Sequence, residues 1–323
     1  MPTFRRPAFR LPIAALAFTA VTSLVLAGCA DPEPIANGER AETAASGSGS
    51  SAATDTWGLK PVDSVVALVP DEYKGKSITN AIYNDFPPEE FLQNGKLVGI
   101  QPDFAQAISE VMGVKFTNQS VGNFDSLIPG IVSGRYQTST ADFGVTKDRL
   151  KQIDFVTQFP IGTGFAVKEG TNIKINKATD LCGHSVSVVA GTYYIDQLRD
   201  ANKDCAAAGL KDITLKTYPT DGARVLAVTN GRVEITGTNE DTMAYAIASQ
   251  NVPLVLQKFV YEPVEQAIVL PKGSKLGPAV QAAMKEIVDN GTYVKILKKW
   301  GVEHVAYDSP DQVKLLTDPS QAS

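Results

Sequence analysis

Twice along this chain, short β-branched runs alternate with segments whose apolar residues recur at helical spacing. That alternation restricts the fold to the α/β class. In the first block, residues 77–83 read as a strand, and Asn84-Asp85-Phe86-Pro87-Pro88 is a forced turn, because proline cannot continue a ladder. Asn94-Gly95 is a hairpin-type turn ahead of Leu97-Val98-Gly99-Ile100. Phe104, Ala107, Ile108, Val111 and Met112 then fall at i, i+3, i+4, i+7 and i+8, which predicts an amphipathic helix capped by Asp103 and closed by Gly113. A strand over 115–121 and a short amphipathic segment (Leu127, Ile128, Ile131, Val132) ending at Gly134 complete the block. The pattern predicts a mostly parallel sheet with helices on its faces.

An apolar, extended stretch at 158–167 reads as a crossing to a second α/β block. There, strands are expected at 185–189, at 213–218 and beyond Gly231 through Ile235, with helices at 194–202, 223–229 and 243–249. Residues 266–270 cross back. Val280, Ala283, Met284, Ile287 and Val288 form one helical stripe, Gly291 interrupts it, and Tyr293, Ile296, Leu297 and Trp300 form another. The expected organisation is a first lobe from 61–163, a second lobe from 164–264, a return to the first lobe over 265–308 and a C-terminal tail over 309–323. Two lobes joined by two crossings imply a cleft, and ligands of such sheets bind outside the carboxyl ends of the strands. No short-period repeat is visible, which argues against a solenoid.

The N-terminus carries Arg5, Arg6 and Arg10, then an apolar run over 11–27, then Leu26-Ala27-Gly28-Cys29. A positive region, an apolar region and small residues before a cleavage point read as a secretory signal over 1–28. The Leu-Ala-Gly-Cys end looks like a bacterial lipobox, with Cys29 as the lipidated first residue of the mature chain. Residues 29–60, with Ala-Ser-Gly-Ser-Gly-Ser-Ser at their centre, bury too little apolar surface to offset ordering and read as a flexible tether. The formal charge is −5, and removing the signal's three arginines makes it more negative, which argues against nucleic acid as a partner. Cys182 and Cys205 remain; in an exported chain a pair is most simply a disulfide. A metal site would need more ligands than His184 nearby, with His304 far along the chain.

An ordered set of segments carries a wider resemblance. FPPEEF…NGKLVGIQPDFAQAISEVMGVK, NFDSLIPGIVSG, TKDRLKQIDF, LCGHSVSVVAGT, NGRVEITGTNED and NGTYVKILKKWG together resemble the bacterial extracellular solute-binding proteins of family 3. The resemblance implies a two-lobed, type II periplasmic-binding-protein-like fold that closes around a solute. It also implies a role as the binding component of an amino-acid ABC transporter, anchored outside the cytoplasm by its lipid. The implied partners are a small charged solute and the permease subunits, with no cofactor.

What the resemblance implies about the cleft is residue-specific. Arg149 would bind an α-carboxylate; the alternative is a surface arginine paired to Asp148 or Asp154. Phe86 and Phe124 would be apolar walls, or plain core aromatics. Gly191 and Thr192 match a turn whose amides help hold the carboxylate. Four positions depart from the family's usual pattern: Asp142 and Gly144 stand where small or hydroxyl residues are usual, Tyr193 where threonine is frequent, and Asn239 where an ammonium-binding aspartate is usual. Asp142 would neutralise Arg149, receive a ligand's cationic group or sit in a solvent-facing turn, and Glu240 or Asp241 are alternatives for the missing charge. The chain is not expected to be an enzyme. The alternatives are a dehydratase-type enzyme of the same fold acting on a cyclic carboxylate, and a solute-sensing receptor. No Ser-His-Asp set is credible, and the glycines at 162, 164 and 231 lack the strand-to-helix context of a nucleotide loop.

Overall fold

The computed structural model describes residues 56–261 and 263–322. The signal segment, Cys29 and most of the tether lie outside the described residues. After a one-turn helix (Asp63–Val66) and a 3-10 turn (Asp71–Tyr73) come β1 (Ile78–Tyr83), then a ribbon of β2 (Asp85–Phe86), β3 (Glu90–Gln93) and β4 (Lys96–Val98), then the helix Ile100–Met112. Next come β5 (Phe116–Val121), β6 (Thr138–Gly144) and β7 (Ile153–Ile161). Strands β8 (Thr163–Lys168), β9 (Ser185–Val189), β10 (Thr214–Tyr218), β11 (Ile235–Asn239) and β12 (Leu254–Val260) build a second sheet, before β13 (Val264–Pro271) and β14 (Leu315–Leu316) return to the first.

The first sheet has the order β14-β7-β13-β6-β1-β5 and the second β10-β9-β11-β8-β12. Within each, the three strands linked by helices are parallel (β6, β1 and β5; β10, β9 and β11), whereas β13, β8 and β12 are antiparallel to their neighbours. The expectation of a mostly parallel sheet is therefore corrected to a mixed one. The reason is connectivity: β8 and β13 enter their sheets from the other lobe, at the end where the parallel strands stop, and so run against them. Residues 309–322, expected as a tail, place β14 on β7 at the edge of the first sheet.

The helix Ile100–Met112 buries its stripe of Phe104, Ala107, Ile108, Val111 and Met112 in a core shared with helices Gly277–Asp289 and Thr292–Trp300. Phe104 stacks on Tyr293, with ring centroids 5.5 Å apart. Asp103 is not the cap. The helix begins three residues earlier, after Gly99, whose φ of 133° suits glycine and whose Cβ, if present, would lie 2.2 Å from the Glu89 carbonyl oxygen. Pro102 is tolerated in the first turn, where its missing N–H has no helical partner to lose. Asp103 instead accepts hydrogen bonds from Lys299 Nζ at 2.9 Å and Trp300 Nε1 at 2.8 Å, tying the two helices together.

In the second lobe, a disulfide joins Cys182, beside the turn Ala178–Leu181, to Cys205 in the helix Tyr194–Ala207. His184 pairs with Glu234 at 3.0 Å, just before β9 and β11 begin. Among the described residues, no helix is long and apolar enough to cross a membrane.

Candidate functional site

The parallel strands of both sheets end facing one another, and the residues at those ends line a shared cavity. Tyr83, Phe86, Phe124, Asp142, Gly144 and Arg149 come from the first lobe, and Val189, Thr192, Tyr193 and Tyr194 from the second.

Arg149 sits on the short helix Lys147–Leu150, where Thr146 caps the turn by accepting the Arg149 amide at 3.2 Å. Its side chain points inward and is 8% exposed. Nη1 donates to the Gly144 carbonyl at 2.6 Å and Nη2 to the Gly191 carbonyl, on the opposite lobe, at 2.7 Å. The guanidinium also packs over the rings of Phe143 and Phe124, at 5.4 and 5.9 Å. The surface pairing that was its alternative does not form: Asp148 pairs with Lys151, and Asp154 with Lys272. Burial pulls its pKa down to about 10, which still leaves it charged at neutral pH.

Asp142 lies two residues before the end of β6 with φ at 48°, a left-handed conformation that aspartate tolerates better than most residues. It is 5% exposed, so the solvent-facing turn is excluded. Its Oδ2 accepts from Asn239 Nδ2 at 2.7 Å, across the cleft, while its Oδ1 has no hydrogen-bond partner among the described residues. Burial pushes its pKa up to about 7; the Asn239 hydrogen bond and the Arg149 charge oppose that rise, and Asp241 adds to it. Asn239 is held from both sides, because the hydroxyls of Tyr194 and Tyr193 donate to its Oδ1 at 2.6 and 3.2 Å. An aspartate in its place would set two carboxylates against each other. Asp142 and Asn239 are thus a reciprocal pair, with the acid on one lobe and the neutral donor on the other.

Gly144 and Tyr193 are a second reciprocal pair. A Cβ on Gly144 would lie 2.3 Å from Tyr193 Cδ1, so the ring fills the space that a hydroxyl side chain at 144 would occupy. Thr192 lines the cavity but spends its hydroxyl on the Val189 carbonyl at 2.7 Å. Gly191 is represented by the carbonyl that receives Arg149. Phe86 and Phe124 are each 7% exposed and line the cavity; Phe124 packs on Phe143 with centroids 4.7 Å apart.

Sequence reasoning did not single out Tyr83, Val189 or Tyr194. Tyr83 accepts the Asp221 amide at 3.2 Å through its hydroxyl, and Asp85 accepts the Gly222 amide at 3.0 Å, so the helix Asp221–Thr229 also docks across the cleft. The signal for Tyr194 was a second tyrosine beside Tyr193 opening an otherwise polar helix. Of the other acids considered, Glu240 opens the helix Glu240–Ser249 beside Gly164, and Asp241 meets His304 Nε2 at 3.3 Å.

A sequence profile of the bacterial extracellular solute-binding proteins, family 3, matches residues 78–303. The arginine-binding protein ArgT of Corynebacterium glutamicum is 26% identical over 251 residues, which is 77% of this chain and 82% of the relative. The L-cystine-binding protein TcyJ of Escherichia coli is 26% identical over 218 residues, 67% of this chain and 79% of the relative. Among solved structures, an ancestral arginine-binding protein bound to arginine matches with a TM-score of 0.63 at 28% identity, covering 70% of this chain and 98% of its own.

Two outcomes follow from this geometry. A buried carboxyl with a raised pKa keeps its proton when folded at pH values where the unfolded chain has lost it. The stability linked to Asp142 therefore falls as pH rises from its ordinary value of 3.8 to about 7 and levels off above. Asp142→Asn is expected to flatten that part of the decline in thermal unfolding scans between about pH 4 and about pH 7; an unchanged slope would show that Asp142 is solvated. Gly144→Ala is expected to destabilise by about 1–3 kcal/mol through overpacking, and Tyr193→Ala to relieve most of that cost. Strict additivity in the double-mutant cycle would refute the contact.

Proposed function

Because the chain belongs to the bacterial extracellular solute-binding proteins, family 3, we propose that Arg149 is the clamp with which it captures the carboxylate of an amino acid or related small charged solute. The chain acts as the substrate-binding component of an ABC importer: it takes up the solute by cleft closure and delivers it to the membrane permease. The observation that carries the assignment of the clamp is the buried Arg149 guanidinium at the meeting point of the two lobes.

In this mechanism the open first lobe meets the solute. Each terminal nitrogen of Arg149 carries two N–H groups, so the guanidinium can keep its carbonyl partners and still offer an edge to a carboxylate. Asp142 takes the solute's α-ammonium, and Asn239 supplies a neutral hydrogen bond from the other side. The second lobe then brings Gly191, Thr192 and Tyr193 over the solute. Burial strengthens every polar contact made there, because the local dielectric falls. Phe86, Phe124 and Tyr83 form the apolar wall against the aliphatic part of the ligand. Arginine and cystine are reasonable first solutes to test, since relatives are named for binding them.

The reading places the protein outside the cytoplasm. Lipidation at Cys29, supported by Leu26-Ala27-Gly28 before it, would hold it at the membrane near its permease, with 29–60 as the tether. No cofactor takes part.

The test is a thermal-shift screen of the purified protein against amino acids, followed by titration calorimetry with any that stabilise it. Arg149→Ala is expected to weaken a carboxylate-bearing ligand by about 100-fold or more, as two charge-assisted hydrogen bonds are lost. Arg149→Lys should recover only part of it, because an ammonium cannot grip bidentately. Undiminished binding by Arg149→Ala would overturn the clamp assignment.

A further inference from the structure

Amides in the first turn of a helix have no partner within it and must find acceptors elsewhere. In the helix Asp221–Thr229, Thr220 satisfies one of them by accepting the Ala223 amide at 3.2 Å. The two before it are satisfied from the opposite lobe. The Tyr83 hydroxyl accepts the Asp221 amide at 3.2 Å, and Asp85 Oδ2 accepts the Gly222 amide at 3.0 Å. Asp221 does not cap its own turn, because its carboxylate is held by Arg224, from Nε at 2.8 Å and from Nη2 at 2.6 Å. Arg224 is fully buried and also donates to Thr236 Oγ1, on β11, at 2.5 Å. The first turn is thereby fixed to the second sheet, and Asp85 approaches an acid that already has its counter-charge.

On the first lobe the two acceptors are equally well anchored, since Tyr83 ends β1 and Asp85 opens β2. Asp85 and Gly222 lie outside the cavity lining, so their contact does not depend on which solute the cleft holds. Tyr83 belongs to both places. Its ring lines the cavity and meets Phe124 edge-on at 5.8 Å, while its hydroxyl takes the amide of the other lobe. A carboxylate at a helix N-terminus is favoured by the helix dipole as well as by the charge-assisted hydrogen bond. When the lobes part, the two amides and the carboxylate return to water, so the contact belongs to the closed form alone.

We propose that Asp85 and the Tyr83 hydroxyl form a closure latch, which caps the helix Asp221–Thr229 from the opposite lobe and sets how long a bound solute is retained. Asp85 is a positioning residue: it acts on the solute only through the closed arrangement of the lobes. The solute enters before the latch forms, so losing the latch speeds release and leaves entry unchanged. This rests on the solute-binding reading above and goes beyond it, to the residues that govern release.

The test pairs hydrogen exchange at single amides with stopped-flow kinetics on the purified protein, with L-arginine as the probe. With L-arginine in excess, the Asp221 and Gly222 amides are expected to exchange at least about tenfold faster in Tyr83→Phe/Asp85→Ala than in the unmodified protein. The Ala223 amide, capped within its own lobe, should be unchanged. L-arginine is expected to leave Asp85→Ala about tenfold faster while its association rate stays within about twofold. Asp85→Asn, which keeps an acceptor but loses the charge, should speed release by only about threefold. Unchanged exchange at Asp221 and Gly222 in the double variant would overturn the latch, as would exchange raised equally at Ala223. An unchanged release rate in Asp85→Ala, with binding still lost in Arg149→Ala, would overturn the latch and leave the receptor reading standing. Protection of the two amides that is lost in the double variant, in a protein that binds no arginine, would support the latch and count against arginine as the solute.

Discussion

A guanidinium buried between two lobes must be given acceptors by both of them, and much of this cleft follows from how Arg149 is satisfied. Its two terminal nitrogens reach the carbonyl of Gly144 at the end of β6 and that of Gly191 in the turn after β9. Those two backbone points belong to different sheets, so one side chain sets how the sheets' ends meet. Leaving such a charge buried without partners would cost several kcal/mol. The aromatic faces of Phe124 and Phe143 serve the same cation, which is why apolar walls and a charge coexist in one small space.

Around that point the unusual residues make sense in pairs. Tyr193 fits because Gly144 has no side chain, and Asn239 fits because the charge stands on Asp142. Tyr194, through its hydroxyl on Asn239, fixes the amide so that its nitrogen faces the carboxylate. The pocket therefore sets complementary polar groups across the cleft, with a donor-rich cation at one end.

The helices and most strands were legible because a buried face imposes a period. Strand β9 lies at the residues read from its β-branched run, and the stripe at Phe104 through Met112 is buried as its spacing required. The helix start was misread because Asp103 has the chemistry of a cap, whereas Gly99, pressed against the Glu89 backbone, is where the chain turns. Strand β12 escaped notice because, paired only with β8 at the sheet's edge, it alternates weakly. In the site, Arg149 stood out by its frame, but its contact with Gly191 spans 42 positions, and periodicity carries no information over such distances. Glu89 and Glu90, two acids after a proline pair, look like a solvated turn in sequence, yet both are buried.

The most direct test of this account is a crystal structure of the protein grown with L-arginine. The account predicts that the amino acid lies between the lobes with its carboxylate hydrogen-bonded to Arg149 and its α-ammonium on Asp142. Arginine held elsewhere, or held in the cleft with its carboxylate away from Arg149, would contradict it.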